Sequence, residues 1–334
     1  MKSKLYPLLF EPVYKNYIWG GDKIYSFFKR TPSILPCAES WEISDRDEGL
    51  SIVKNGTLKG RNLKEIMEEF ASEITGKKNT INKKFPLLIK ILDAKEDLSI
   101  QVHPANDNTT RGVEAKTEMW YVLDARKEAF VYAGFTKQTN EMEFSSKLTT
   151  GTITKLIRKV PVSVGDVIFI PGGRIHAVGA GCLLLEIQQN SNTTYRVFDW
   201  DRTDKNGKKR PLHISEAIKH INLEDTLPPQ HSPSEVAQNN KSTMLLLECD
   251  FFRVEKINIE KELFIIGHNS FEILFIERGN VAVKSDLEPD CLTTVMFGST
   301  CLIPSSILPY RILPIASQIT PSVIRILPGR KFFT

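Results

Sequence analysis

Apolar and polar positions alternate over short runs along most of the chain. In "LSIQVH" (98–103), Ile100 and Val102 fall on one side of an extended strand, and Gln101 and His103 on the other. Runs of the same kind cover 86–94, 117–125, 129–135, 166–172, 182–189 and 193–200, each bounded by Gly, Pro, Asn or Asp. Helical spacing is confined to two clear stretches. "NLKEIMEEFASEITG" (62–76) sets Leu63, Ile66, Met67, Phe70 and Ile74 on one face, with Gly76 as its stop; "HISEAIKHIN" (213–222) predicts a shorter helix. Many short strands and few helices predict a mainly β protein built of barrels or sandwiches. Residues 223–243 are rich in Pro, Ser, Gln and Asn, lack apolar periodicity, and read as a linker. The expected division is a domain over 1–222, a linker over 223–243 and a second strand-rich domain over 244–334.

The polar faces of these strands carry the chemistry. "GDVIFIPGGRIHAVGAG" (165–181) has the spacing G-x5-P-x-G-x2-H of the second cupin motif, through Gly165, Pro171, Gly173 and His176. Gly165 turns the chain into an apolar strand, Pro171 and Gly173 end that strand sharply, and His176 is expected at the barrel mouth as a neutral imidazole. "KTEMWYVLD" (116–124) puts Lys116, Glu118, Trp120 and Val122 on one face. Gln101, His103, Glu118 and His176 together make two imidazoles, one carboxylate and one amide. Such a set suits zinc with a position left for water or substrate, and it also suits iron(II). Where cupins usually open with H-x-H, this chain has Gln101, a weaker donor that fits a Lewis-acid site better than a redox site.

Bulk properties narrow the partners. The 334 residues have a formal net charge of +4, and the densest basic run is "NGKKRP" (206–211). That argues against nucleic acid and leaves a small anionic substrate open. Five scattered cysteines without C-x-x-C spacing predict free thiols in a reducing compartment. Neither a signal-peptide core nor a membrane-length apolar run occurs, so the cytoplasm is the expected location. His213, His220, His231 and His268 lack ligand spacing.

The C-terminal segment repeats part of this grammar. "GSTCLIPSSILPY" (298–310) keeps the Gly298 to Pro304 spacing, but Ser306 stands where the motif's glycine would be and Pro309 where its histidine would be. A second barrel of the same type, without metal, is expected.

These residues carry a resemblance. "FPLLIKILDAKEDLSIQVHP", the glutamate of "KTEMWY", "PGGRIHAVGAG" and "YRVFDWDR" resemble the type I mannose-6-phosphate isomerase (phosphomannose isomerase) family, as do "YIWGG" (17–21) and "ESWEIS" (39–44). The likeness runs in order from about residue 7 to 220. The short stretch between Glu118 and His176 leaves no room for the helical domain of longer members. The resemblance implies a double cupin fold and the interconversion of D-mannose 6-phosphate and D-fructose 6-phosphate through an enediol(ate). It implies one Zn2+ per chain on Gln101, His103, Glu118 and His176, with Arg196, Glu186 and Lys116 as active-site residues. The proton carrier is left open among Lys116, Glu186 and zinc-bound hydroxide. Lys90, Ser99 and Arg202 are expected at the phosphate, with Lys205 an alternative to Arg202. Arg196 is expected to share a strand face with Phe198 and Trp200. The chain is expected to be a monomer or weak homo-oligomer. Two other readings fit the motifs: a non-catalytic sugar-binding cupin and an iron cupin oxygenase.

Overall fold

The structure is a computed structural model that describes residues 5–76, 84–108, 112–204, 206–235, 243–287, 292–315 and 318–332. It is mainly β, as the alternation predicts, and its Cα packing divides into two compact units. One comprises 14–40 and 88–231. The other comprises 1–13, 41–87 and 232–334.

In the first unit, strands Gln230–His231, Val167–Ile170, Glu118–Ala125, Cys182–Gln189 and Leu87–Ala94 run in that order inward from one edge of a seven-stranded sheet. A five-stranded sheet orders Tyr195–Phe198, Ile100–Val102, His176–Val178, Phe130–Phe135 and Ile157–Pro161. Two apolar clusters fill this unit. Trp120, Val122, Ile168, Ile170 and Leu184 lie in one; Ile100, Val102, Phe135, Phe144 and Val197 lie in the other. In the second cluster Ile100 and Val102 take alternate residues of their strand and leave Gln101 on the other face, whereas in the first Trp120 and Val122 share a face with Glu118.

The segment 223–231 shows why polar composition alone misleads about a linker. Asp225 is buried and receives Arg174 through two hydrogen bonds, Nε to Oδ2 at 2.6 Å and an Nη to Oδ1 at 2.8 Å. Gln230–His231 then pairs with Val167 and Ile168 at a sheet edge. Of the expected linker 223–243, residues 223–231 therefore pack within the first unit, and 236–242 lie outside the described residues.

The second unit is threaded from three parts of the sequence. Leu8–Glu11 pairs with Thr300–Ile303 on one side and with Ile52–Val53 on the other. This places 1–13 and 41–87 with the C-terminal strands, a grouping different from the 1–222 and 244–334 division expected from composition. A one-dimensional reading cannot see that antiparallel pairing, because strand partners far apart in sequence carry no local signal. Helix Leu63–Thr75 belongs here. Asn62 and Glu65 form a capping box, and Gly76 ends the helix in the left-handed region with φ 75°. Its buried face is Leu63, Ile66, Met67, Phe70, Ala71 and Ile74. The second expected helix forms as Ile214–His220 in the first unit. Helices Lys23–Phe28 and Glu141–Thr149 went unpredicted. The first is under two turns long, and the second buries only Phe144, so neither writes an apolar stripe.

Cys37, Cys182, Cys249 and Cys301 are unbridged, and Cys291 lies outside the described residues. Among the described residues no helix is long and apolar enough to cross a membrane.

Candidate metal centre and active site

The row of the five-stranded sheet that matters is His176, Gln101, Arg196. Antiparallel register sets His176 opposite Gln101 and Gln101 opposite Arg196, so the three side chains share a face. Two glycines shape the approach to His176. Gly165 has φ 92° and Gly173 φ 89°, the left-handed region that a turn into and out of strand Val167–Ile170 requires. Gly173 N–H donates to His103 O at 2.8 Å, tying the two histidine-bearing segments together.

His103, Glu118 and His176 are buried, and their ligating atoms lie within 4.8 Å of one another, the one such group among the described residues. Both imidazoles have a fixed tautomer. His103 Nδ1–H donates to Thr193 O and His176 Nδ1–H to Arg174 O, each at 2.8 Å. Each Nε2 therefore turns a lone pair toward Glu118, 3.5 Å from His103 to Oε2 and 3.5 Å from His176 to Oε1. Burial holds the His176 imidazole down to about 3 and His103 well below its ordinary value, so both are neutral. Burial pushes the Glu118 carboxyl up to about 7, against the pull of Lys116. Gln101 Nε2 lies 3.3 Å from His176 Nε2. A half-turn of that amide would present its oxygen instead.

A divalent cation fits these residues. Glu118 Oε1 is buried and accepts no hydrogen bond among the described residues, an expensive state for a carboxylate unless a cation answers it. The pocket already accommodates positive charge: the Lys116 ammonium lies 2.7 Å from Glu118 Oε2 and 3.2 Å from His103 Nε2. Two neutral imidazoles and a carboxylate are the donor types of a three-ligand zinc site.

Glu186 stands opposite Trp120 in the sheet and accepts its indole N–H at 3.1 Å. Burial works to raise this carboxyl, but Lys116 and Lys90 outweigh it and hold it below the usual range. Lys90, expected at the phosphate, has carboxylates on both sides. It is buried with its ammonium 3.4 Å from Glu39 and 3.4 Å from Glu186, on the metal-centre side. An apolar strand signals that its lysine is buried, but says nothing of which anion answers the charge.

Arg196 donates from Nε to Ser99 Oγ at 3.2 Å and from Nη1 to Pro211 O at 3.0 Å. Ser99 Oγ in turn reaches Gln101 Oε1 at 3.5 Å, which links the arginine to the metal set. The expected shared face with Phe198 and Trp200 does not form. The register shifts between Arg196 and Phe198, so Arg196 pairs with Gln101 while Phe198 pairs with Ile100. This β-bulge sends the aromatic rings to the apolar cluster and leaves Arg196 on the polar side. Arg202 donates to Asp199 Oδ1 at 2.7 Å and to Asp97 O. Arg210 also binds Asp199, a pairing that the sequence does not signal. "KKRP" reads as a solvated charge run, and nothing in its spacing marks Arg210 as a partner of a buried aspartate. Lys205 lies outside the described residues.

The second unit holds a counterpart of this centre with different chemistry. Glu118 pairs with Ile170, and Glu272 pairs with Ile303; each isoleucine directly precedes the proline of its motif. Glu186 pairs with Trp120, and Arg325 pairs with Leu274, two residues beyond Glu272. The positions of Glu118 and Glu186 are thus taken by Glu272 and Arg325. Arg325 binds Glu272 through both oxygens at 2.7 and 2.6 Å, and Tyr310 donates to Glu272 at 2.6 Å. A guanidinium answers the buried carboxylate in this barrel.

Comparison with known proteins agrees with this geometry. Residues 8–144 match the model of the phosphomannose isomerase type I catalytic domain. The mannose-6-phosphate isomerase of Bacillus subtilis is 37% identical over 279 residues, covering 82% of this chain and 86% of the relative. That of Streptococcus mutans is 33% identical over 303 residues, covering 90% of this chain and 93% of the relative. The crystal structure of the mannose 6-phosphate isomerase from Bacillus subtilis superposes with a TM-score of 0.85 and 31% identity, covering 97% of this chain and all of that one. With its double-barrel cupin fold and its His–Glu–His centre, the chain belongs to the type I phosphomannose isomerase family of enzymes.

Proposed function

We propose that the chain is a zinc-dependent aldose–ketose isomerase that interconverts D-mannose 6-phosphate and D-fructose 6-phosphate through an enediol(ate). The observation that carries this is the buried His103–Glu118–His176 set, whose two Nε2 lone pairs and free carboxylate oxygen converge on one point. These three residues would hold the zinc, with the Gln101 amide oxygen as a weaker fourth donor. Bound zinc supplies a Lewis acid that draws charge from the sugar's reacting oxygens.

The rest of the work falls to the chain's own groups. Isomerisation moves a proton between C1 and C2, so it needs a carboxylate or amine at those carbons and fixed positive charge near the oxygens. Glu186, ionised beside Lys90 and oriented by the Trp120 indole, supports the role of proton acceptor. Lys116 carries N–H donors within the metal set and supports the second role, holding or returning the proton at the neighbouring oxygen. Arg196, beside Gln101 in the sheet and tied to Ser99, supports stabilisation of the developing oxyanion. Burial of every one of these groups but Arg196, which is half-buried, keeps water from the centre and strengthens each charge interaction. Ser99 and Arg202 support recognition of the phosphate at the far end of the sugar.

The test is a coupled assay of the purified protein with mannose 6-phosphate, run in parallel in deuterated water. Fructose 6-phosphate should form, and deuterium should enter at the carbons that exchange their proton. A protein that binds the sugar phosphate but never converts it would return the reading to a binding cupin.

A further inference from the structure

Beyond the active-site arginine lies an array of charge that the metal centre does not use. The turn after strand Tyr195–Phe198 places Trp200 at φ 58° and Asp201 at φ 53°, two successive non-glycine residues in the left-handed region. Such backbone persists only where the surroundings over-determine it. Here the Trp200 indole donates to Leu98 O at 2.8 Å, and its ring packs 5.2 Å from Phe198. The turn delivers Asp199, whose side chain is 7% exposed, between two guanidiniums. Arg202 reaches Oδ1 at 2.7 Å, and Arg210 reaches Oδ2 at 2.8 Å and Oδ1 at 2.5 Å. Arg196 is close enough for both arginines to act on its charge.

Arg202 and Arg210 share the one buried carboxylate of Asp199, and Arg196, bonded instead to Ser99 and Pro211, brings a third guanidinium beside them. Asp97 accepts at Oδ1 from Ala180 N at 2.7 Å, Asp201 pairs with Lys209, and Glu96 touches Arg202 at 3.9 Å from an exposed rim position. A cluster of this kind, partly desolvated and adjoining Ser99, is matched by a dianion. A phosphate monoester carries nearly two negative charges at neutral pH.

We propose that Arg210 is a third phosphate-recognition residue beside Ser99 and Arg202, and that Asp199 is the positioning residue that clamps Arg210 and Arg202 in place. This rests on the reading of the substrate as a sugar phosphate. The clamp makes the two planar forks rigid before the ligand arrives, so little freedom is lost on binding. It also gives the chain discrimination between a phosphorylated sugar and its neutral parent.

The experiment is steady-state kinetics of metal-loaded Arg210→Ala, Arg210→Lys and Asp199→Asn with mannose 6-phosphate, joined to calorimetric titration with inorganic phosphate. Arg210→Ala should raise KM and weaken inorganic phosphate by about tenfold or more, as loss of a charge-assisted contact does. Its kcat should stay within about threefold of the parent, because the lost contact is uniform along the reaction. Arg210→Lys should fall between the two, and Asp199→Asn should shift KM in the same direction with kcat held. Metal content equal to the parent's checks that each variant is folded. Unchanged KM and phosphate affinity in Arg210→Ala would overturn the proposal, as would a fall in kcat at constant KM. If the parent protein fails to turn over mannose 6-phosphate yet binds phosphate through Arg210, the recognition proposal stands and the reaction assignment falls.

Discussion

At the scale of single residues, the polar faces of the strands do most of the work. Gln101, His103, Glu118 and His176 come together because period-2 alternation and one turn motif specify where each points. That much is legible in sequence, since both signals are local. The partner of Lys90 is not legible, nor is the clamp on Asp199, because both depend on strands and loops meeting across the barrel. Two predictions belong here. His103→Ala and His176→Ala each delete a strong donor and should remove most bound zinc, measured by metal analysis of the purified variants. Gln101→Ala should keep most of it, since an amide is a weak ligand. Equal losses in all three would discard that ranking. The second concerns Asp93, which burial pushes up to about 6 although it accepts the Lys23 backbone N–H at 2.6 Å. Below about pH 4 both folded and unfolded chains hold this proton. Between about 4 and 6 only the folded chain does, so stability should fall as pH rises through that window, by on the order of 3 kcal/mol. Asp93→Asn should flatten this slope in denaturant titrations across pH, and a slope unchanged by the substitution would assign it to other groups.

At the scale of elements, the turn that presents His176 depends on a partner from outside the barrel strands. Arg174 accepts the His176 Nδ1–H at its carbonyl, while its guanidinium is held by Asp225. Both side chains are almost fully buried, at 4% and 6% exposure. Asp225→Ala would leave a buried guanidinium with only the carbonyls of Phe169 and Leu227. A cost of about 3–5 kcal/mol is expected, read as a lowered melting temperature. Zinc affinity should fall with it, because the carbonyl that orients His176 loses its anchor. A variant as stable as the parent would show that the carbonyls alone satisfy Arg174. The β-bulge after Arg196 teaches the complementary lesson. Strict alternation puts Arg196 and Phe198 on one face, and a single irregular residue puts them on opposite faces. Alternation thus predicts faces well within regular strands and fails where an active-site strand bends.

At the scale of the whole molecule, the two units differ from the linear division that composition suggests. The second unit draws on 1–13 and 41–87 as well as on 232–334. Leu8 pairs with Leu302, and the rings of Phe85 and Phe271 pack 4.7 Å apart. A chain ending at residue 231 should therefore strand the apolar face of helix Leu63–Thr75 and be recovered as aggregate rather than as a monodisperse active fragment in size-exclusion chromatography. The two barrels share a strand plan yet surround their central carboxylates differently: Glu118 has the Lys116 amine and two imidazoles able to hold a metal beside it, whereas Glu272 has the Arg325 guanidinium. If the proposed function holds, each chain binds one zinc. Turnover of mannose 6-phosphate, followed through chelation and stepwise return of zinc, tests this most directly. Activity should be lost with the metal and recover fully at one equivalent per chain, with no recovery in His176→Ala. Undiminished turnover in protein shown by metal analysis to be zinc-free would contradict it.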